Sequence, residues 1–303
     1  MTGPLAAPPE LARTVTALHG DVGVRWLRDL PMLLAECERR WSVTIAPPFE
    51  KLSYNYVAPA LCADGARVVL KAGLPNRELT SEIAALRLYD GRGCVRVLDA
   101  DADVGVLLLE RAEPGTSLAT VAVHDDAAAT SAAAAVMRRL WRPAPRNHSF
   151  PHVAGWADGL RRLRQRFDGG TGPLPRELVE KAEALFAELI PSMSALVVLH
   201  GDLHHDNILI GAREPWLAID PKGIIGEPAY EVGALLRNPE WLKRAPNARA
   251  LLAWRVDQLA SELGLDRARV RGWGVAQAVL SAWWSIEDEG AGWEWAIRCA
   301  ELL

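Results

Sequence analysis

A dense polar segment, enclosed by short β-type runs, constrains the fold of this chain more than any other part of the sequence. Residues 200–207 read His-Gly-Asp-Leu-His-His-Asp-Asn, and the apolar runs 208–210 and 216–219 follow, separated by a polar turn. Two such runs joined by a turn predict a β-hairpin. The hairpin would return the chain so that Asp220, which follows the second run, lies beside Asn207.

The spacing of these polar residues matches the catalytic loop H-x-D-L-x-x-x-N of protein kinases. In that chemistry a carboxylate accepts the proton of the attacking hydroxyl, and a nearby amide oxygen binds a magnesium ion that bridges phosphate oxygens. Asp202 and Asn207 stand five residues apart at the matching positions, and Asp220 would add an anionic magnesium ligand. Each residue alone is more typical of an ordinary polar loop. Their combination predicts a phosphoryl-transfer site at which the three converge.

Composition and charge argue against several other classes of protein. The 303 residues are 50% hydrophobic, enough for a full core, and the net charge of −4 is spread over interspersed charges. We therefore expect no nucleic-acid partner and no anionic membrane surface, whereas mild acidity is compatible with a cationic small molecule. The four cysteines form no C-x-x-C pair, and neither a signal peptide nor a membrane-spanning run is apparent. A soluble, cytoplasmic protein is expected, and its oligomeric state is left open.

Hydrophobic periodicity divides the chain into two parts. Residues 1–112 contain a helical preface over 24–41, kinked at Pro31, and then β-type runs that turn at Asp64-Gly65. A helix over 78–89 and two more strands, 95–98 and 104–109, complete this part.

The second part, residues 113–303, is mainly helical, with a short sheet inserted at residues 196–219. Its clearest helices are predicted over residues 126–141, 153–167, 175–189, 247–263 and 266–287. The fold class is therefore α+β, with an antiparallel sheet plus helix in an N-terminal lobe and helices in a C-terminal lobe that carries the polar loop.

Residues 200–207, together with Trp-Leu-Ala-Ile-Asp-Pro-Lys-Gly-Ile-Ile-Gly-Glu-Pro over residues 216–228, resemble the aminoglycoside phosphotransferases. Within that family the similarity is greatest to the streptomycin 6-phosphotransferases and their hydroxyurea-kinase relatives, and it extends with gaps from about residue 52 to 284. The resemblance implies a bilobed, protein-kinase-like fold that uses ATP (or GTP) and Mg²⁺. It also implies Asp202 as catalytic base and Asn207 and Asp220 as metal ligands. The implied activity is phosphorylation of an aminoglycoside hydroxyl, first of all the 6-hydroxyl of streptomycin, which gives antibiotic resistance.

The first lobe contains residues that suit this implication. Kinases use a strand lysine, held by a helix glutamate, to contact the α- and β-phosphates. Lys71 at a strand end and Glu82 in the following helix stand in the required order, although each alone is more typical of a solvated surface charge. Residues 107–112 fall at the family's hinge, where the carbonyl near Glu110 and the amide near Ala112 would bind adenine. The loop at residues 52–57 lacks the glycines that cover the phosphates in protein kinases, which argues against a protein kinase.

An acidic and aromatic segment near the carboxyl end offers candidate substrate ligands. Trp284, Glu287 and Asp288 combine an aromatic ring with carboxylates, which would suit the guanidinium groups of streptomycin. Tryptophans at helical spacing are more often core residues, and acidic runs are more often solvated helix ends.

Three alternatives remain open from the sequence. The acceptor could be hydroxyurea, another aminoglycoside or a choline-like metabolite, because the core motif does not distinguish them. His200, Asp202, His204, His205 and Asp206 could instead be zinc or iron ligands of a metallohydrolase, although the other histidines form no second cluster. A non-catalytic, nucleotide-binding pseudokinase is the third, and the presence of Lys71 with the complete loop argues against it.

Overall fold

The computed structural model describes residues 6–50, 52–288 and 292–303. The chain divides into two compact units. The N-terminal unit comprises Met1–Gly91 and Val95–Ala112, and the C-terminal unit comprises Arg92–Cys94 and Glu113–Leu303.

The N-terminal unit contains a five-stranded antiparallel sheet with the order β1-β2-β3-β5-β4. Its strands are β1 (Val43–Ile45), β2 (Tyr56–Cys62), β3 (Arg67–Ala72), β4 (Val97–Asp101) and β5 (Val106–Glu110). The predicted hairpin forms between β2 and β3, where Gly65 takes a φ of 86° that glycine adopts without strain. β4 extends into the acidic turn because Asp99 and Asp101 accept hydrogen bonds from Trp41 and Arg40, both at 2.7 Å.

The helical preface differs from its prediction. Helix α1 spans Pro9–Trp41, so it begins well before residue 24, and its backbone leaves helical geometry at Gly20 (φ 52°, ψ −134°). Pro31 lies inside the helix and its backbone stays helical, so the helix is not split at that residue. Glycine accommodates the positive φ of a break at little cost, whereas proline only forbids one hydrogen bond and crowds one turn.

Helix α2 (Arg77–Tyr89) follows the prediction closely. The side chain of Asn76 accepts a hydrogen bond from the amide of Leu79 at 2.8 Å and thereby caps the first turn. Its buried residues Leu79, Ile83 and Leu86 lie on the predicted apolar side. The helix ends at Asp90, which takes a left-handed φ of 51°.

The C-terminal unit is built mainly from helices. They are α3 (Leu118–Ala122), α4 (Asp126–Leu140), α5 (Val153–Arg166), α6 (Arg176–Leu189), α7 (Val232–Arg237), α8 (Ala248–Leu263), α9 (Arg267–Asp288) and α10 (Glu294–Leu302). The five predicted helices correspond to α4, α5, α6, α8 and α9, with ends that agree within one residue. Helices α3 and α7 are too short for hydrophobic periodicity to reveal.

Two small sheets are inserted among these helices, where the sequence predicted one. One is a three-stranded sheet with the strand order β10-β7-β6, formed by β10 (Ile224–Gly226), β7 (Val197–Leu199) and β6 (Arg142–Pro143). The predicted hairpin forms separately from β8 (Ile208–Ile210) and β9 (Trp216–Ala218), with Ile208 opposite Ala218. The polar segment therefore connects β7 of one sheet to β8 of the other.

Helix α9 forms the centre of the helical core, and its side chains from Gly272 to Leu280 are buried without interruption. A helix that is apolar on all sides must be covered by neighbours, and α5, α6, α7, α8 and α10 supply that cover. Arg255 of α8 is fully buried and donates to Asp126 at the start of α4, which fixes these two helices together. In the part of the chain that the structure describes, no helix is both long enough and apolar enough to cross a bilayer.

Candidate active site

The loop that leaves β7 presents Asp202 partly to solvent. Its carboxylate is 38% exposed, and Oδ2 lies 3.9 Å from Nε2 of His204. The Asp202 amide donates to Nδ1 of His200 at 3.2 Å, and its carbonyl accepts from the side chain of Asn207 at 2.9 Å. The backbone of Asp202 is thus held on both sides while its carboxylate remains accessible.

The buried side chain of His200 connects two segments of the site by hydrogen bonds. It is fully buried, and Nε2 hydrogen-bonds to the carbonyl of Ile219 at 2.7 Å. Since Nδ1 accepts from the Asp202 amide, the proton resides on Nε2, and the ring is neutral. Burial lowers the pKa of His200 to about 4, which keeps it neutral at physiological pH. One imidazole therefore connects the residue before Asp220 to Asp202.

The hairpin joins the backbone of Asn207 to that of Ile219, the residue before Asp220. The amide of Ile219 donates to the carbonyl of Asn207 at 3.0 Å, one step beyond the pair Ile208–Ala218. Asp220 follows with a left-handed φ of 58°, which aspartate tolerates better than most residues. Because the Asn207 NH₂ group is engaged with Asp202, its Oδ1 is directed away from that contact. An amide oxygen and a carboxylate are ligands that suit Mg²⁺.

Glu231 supports the same loop from the start of α7. Its buried carboxylate accepts the backbone N–H of His200 at 2.7 Å and that of Gly201 at 2.8 Å. Burial raises the pKa of Glu231 to about 7, and the two hydrogen bonds oppose that rise. Glu231 thus holds the segment that leads into Asp202, whereas Glu227 pairs with Arg269 at 2.6 Å.

Gly201 allows a close approach of backbone and side chains next to Asp202. Its φ is 86°, and an added Cβ would lie 2.9 Å from Cγ2 of Ile224 and 3.1 Å from Cη2 of Trp156. A larger residue would be strained and would clash with both neighbours. The indole of Trp156 therefore lies directly against the residue that precedes Asp202.

In the N-terminal unit the predicted lysine and glutamate form a buried ion pair. Nζ of Lys71 on β3 lies 2.7 and 2.8 Å from the two carboxylate oxygens of Glu82 on α2. The residues are 3% and 5% exposed, so neither is the solvated surface charge that its type suggests. Because the contact lies in the low-dielectric interior and uses both carboxylate oxygens of Glu82, it fixes the position of the Lys71 ammonium group.

The residues predicted to bind adenine lie at the end of β5 and just beyond it. Glu110 is the last strand residue, paired with Val68, and its amide donates to the carbonyl of Arg96 at 2.9 Å. Ala112 lies two residues beyond the strand, and its amide makes no hydrogen bond to other described residues. That amide can serve as a donor to a ligand.

The predicted substrate residues are only partly brought together with the loop. Trp284 packs edge-on against Trp156, with ring centroids 5.3 Å apart, so it reaches the loop through that second indole. Glu287 accepts two hydrogen bonds from Arg162 at 2.7 and 2.8 Å, which occupies its carboxylate. Asp288 is exposed at the end of α9.

Sequence patterns did not single out Trp156, because it lies in an ordinary amphipathic helix. It stands four and seven residues before Leu160 and Leu163, both buried, so it belongs to the inward stripe of α5. That spacing was visible in the sequence. Its contact with Gly201 depends on how α5 packs, which the spacing does not reveal.

The ligand set of the metallohydrolase alternative is not assembled. Among residues 6–50, 52–288 and 292–303, no group of three or more His, Cys, Asp or Glu side chains could hold a metal ion. Both ring nitrogens of His205 are buried without a partner, and burial lowers its pKa to about 2. His205 is therefore a neutral side chain of the loop that packs into the protein interior.

Comparison with known proteins gives a consistent assignment. Residues 40–290 match the model of the aminoglycoside/hydroxyurea antibiotic resistance kinases. The chain is 34% identical over 284 residues to a streptomycin 6-kinase of Streptomyces griseus, covering 93% of this chain and 91% of the relative. It is 35% identical over 308 residues to a hydroxyurea phosphotransferase of Kitasatospora aureofaciens, covering 98% and 85%.

Solved structures share the fold at lower identity. Aminoglycoside phosphotransferase APH(4)-Ia, in a ternary complex with ADP and hygromycin B, aligns with a TM-score of 0.62 at 14% identity, covering 88% of this chain and 96% of that one. Choline kinase LicA of Streptococcus pneumoniae aligns with a TM-score of 0.62 at 12% identity, covering 89% and 95%. The expected kinase-like α+β fold is confirmed. With a family model that covers most of its length and relatives at about one-third identity, the chain belongs to the aminoglycoside/hydroxyurea antibiotic resistance kinases.

Proposed function

We propose that this protein transfers the γ-phosphoryl group of ATP or GTP to a hydroxyl of a cationic aminocyclitol antibiotic, with the 6-hydroxyl of streptomycin as first candidate. Two streptomycin 6-kinases, 34% and 35% identical to the chain over more than nine-tenths of its length, support this acceptor. Modification of the drug would confer resistance to it.

Asp202 is the proposed catalytic base. A base must lie within hydrogen-bond reach of the acceptor hydroxyl, so its carboxylate must be accessible while its backbone is fixed. Asp202 meets both conditions, because its side chain is 38% exposed and its backbone is held by His200 and Asn207. Positioning of this kind supplies much of the rate enhancement in phosphoryl transfer.

Asn207 and Asp220 are the proposed ligands of Mg²⁺. They offer one amide oxygen and one carboxylate, the small set of protein oxygens that Mg²⁺ takes when phosphates and water complete its shell. Bound Mg²⁺ would neutralise charge on the phosphate oxygens of the nucleotide. The protein's own contribution is to fix both ligands on one hairpin through the Ile219–Asn207 hydrogen bond.

Residues of the N-terminal unit are the proposed nucleotide ligands. The Lys71 ammonium, oriented by Glu82, would contact the α- and β-phosphates. The Ala112 amide and the carbonyl near Glu110 would bind the adenine edge.

The single observation that carries the proposal is the connected arrangement of Asp202, Asn207 and Asp220. The side chains of His200 and Asn207 hydrogen-bond to the backbone of Asp202 at 3.2 and 2.9 Å. The His200 ring and the Asn207 carbonyl in turn hydrogen-bond to Ile219, the residue before Asp220, at 2.7 and 3.0 Å. A polar loop without a common function does not require a carboxylate, an amide and a second carboxylate from a returning hairpin to be linked by hydrogen bonds.

The test is an assay of ADP release with purified protein, Mg²⁺ and streptomycin, with the product located by phosphorus NMR. We expect phosphorylation of one hydroxyl, and a loss of turnover by orders of magnitude in Asp202→Ala while nucleotide binding persists. Asp206→Ala is the matched control, since that carboxylate is 59% exposed on the same loop. Unchanged turnover in Asp202→Ala would reject the assigned base.

Hydroxyurea is the second candidate acceptor. The hydroxyurea phosphotransferase of Kitasatospora aureofaciens is as similar to the chain as the streptomycin kinases are, at 35% identity over 98% of this chain. Parallel assays with both compounds distinguish the two, because the acceptor with the higher kcat/KM identifies the physiological class.

A further inference from the structure

An aromatic cluster lies beside the proposed catalytic loop. It consists of Trp156 on α5, Trp284 on α9 and Tyr230, which precedes α7. Trp156 is its centre, with ring centroids 5.3 Å from Trp284 at 89° and 6.2 Å from Tyr230 at 58°. These tilted and edge-on contacts are the favourable geometries for aromatic pairs.

Trp156 reaches the immediate neighbourhood of Asp202. Its Cη2 lies 3.1 Å from the position of a Cβ on Gly201, the residue before Asp202. Unlike Tyr230, which is fully buried, Trp156 keeps part of its surface exposed. A rigid, partly accessible indole therefore adjoins Gly201, the residue that precedes the proposed base.

The helices that carry the two indoles also carry an acidic group of side chains. Arg162 of α5 donates to Glu287 of α9, and Asp158 and Asp288 lie close enough to add to the field on its guanidinium. Asp158 also pairs with Arg161 at 3.4 Å, so three carboxylates lie near two arginines and the group keeps a small negative surplus. The Arg162–Glu287 contact is bidentate, so a guanidinium group of the chain itself already occupies the Glu287 carboxylate.

We propose that Trp156 is a specificity residue on the acceptor side, whose indole holds a charged guanidinium or ammonium group of the aminocyclitol. The proposal rests on the proposed function. Cations favour the faces of tryptophan over other aromatic rings, and a weakly hydrated guanidinium stacks on them well. The neutral and much smaller hydroxyurea gains little from such a surface, so Trp156 distinguishes the two candidate acceptors.

The experiment compares Trp156→Ala and Trp156→Phe with wild type. KM is measured for streptomycin, hydroxyurea and ATP, and streptomycin binding is titrated by calorimetry in the presence of a non-hydrolysable nucleotide. We expect Trp156→Ala to weaken streptomycin binding and raise its KM by about tenfold. The KM for ATP should stay within about twofold, and Trp156→Phe should recover most of the loss, because a phenyl face also attracts cations.

Trp254→Ala is the matched control, since this tryptophan of α8 is 59% exposed and makes no aromatic pair among the described residues. Streptomycin affinity unchanged in Trp156→Ala would overturn the proposal. An equal loss for streptomycin, hydroxyurea and ATP without recovery in Trp156→Phe would also overturn it, because that pattern identifies a packing residue. Failure of the proposed function has a different signature: wild type would bind streptomycin and not phosphorylate it.

Discussion

Replacement of Glu231 tests how the loop around Asp202 is held. In Glu231→Ala the backbone N–H groups of His200 and Gly201 lose the carboxylate that accepts them at 2.7 and 2.8 Å. Each donor left without a partner costs about 1–3 kcal/mol, so the variant should lose about 2–6 kcal/mol of unfolding free energy. For a unit of this size, Tm should fall by roughly 2–4 °C per kcal/mol.

Activity should fall together with stability. Without Glu231 the segment 200–202 loses two of the hydrogen bonds that fix it, and Asp202 is no longer held in one position. We expect kcat to fall by about 100-fold, the effect of a misplacement of about 1 Å, while KM for ATP changes little.

Thermal unfolding and steady-state kinetics measure both effects. Glu231→Gln should show a smaller loss, because its carbonyl oxygen still accepts one of the two N–H groups. Glu180→Ala is the control, since that carboxylate forms an exposed pair with Arg176 and should contribute less than about 1 kcal/mol. If Glu231→Ala keeps the Tm and kcat of wild type, Glu231 does not support the loop.

Three further predictions concern the loop and the N-terminal unit. Lys71→Met should lower Tm more than the double change Lys71→Met/Glu82→Leu does, because the single change leaves the Glu82 carboxylate buried without its cation. Equal decreases of Tm in thermal unfolding would contradict this prediction. Gly201→Ala should cost about 1–3 kcal/mol in denaturant unfolding, since φ is 86° and Ile224 is 2.9 Å from the new Cβ; a neutral effect would show that the loop can shift. As pH falls from 6.5 towards 4, the free energy of unfolding of wild type should decrease relative to that of His200→Gln. Burial lowers the pKa of His200 in the folded state only, so in this range the unfolded chain binds a proton that the folded chain does not. A difference in unfolding free energy that does not change with pH would refute this prediction.

Local signals in the sequence determined the elements that carry the site. The kinase-type spacing from His200 to Asn207 and the two β-type runs after it predicted the hairpin, because turn chemistry and alternation act between residues close in the chain. The long helices α4, α5, α6, α8 and α9 were predicted to within a residue at their ends for the same reason. The break in α1 was placed at Pro31 because proline is the stronger local signal, whereas the chain breaks at Gly20.

Only the tertiary structure decided which distant residues support the loop. Glu231 reaches the amides of His200 and Gly201 from 31 and 30 residues away, and Trp156 contacts Gly201 from helix α5. Nothing in the neighbouring sequence of Glu231 or Trp156 distinguishes them from other residues of their type. Their contacts depend on how α5 and α7 pack around the inserted sheet, and packing joins residues whose separation along the chain carries no periodic signal.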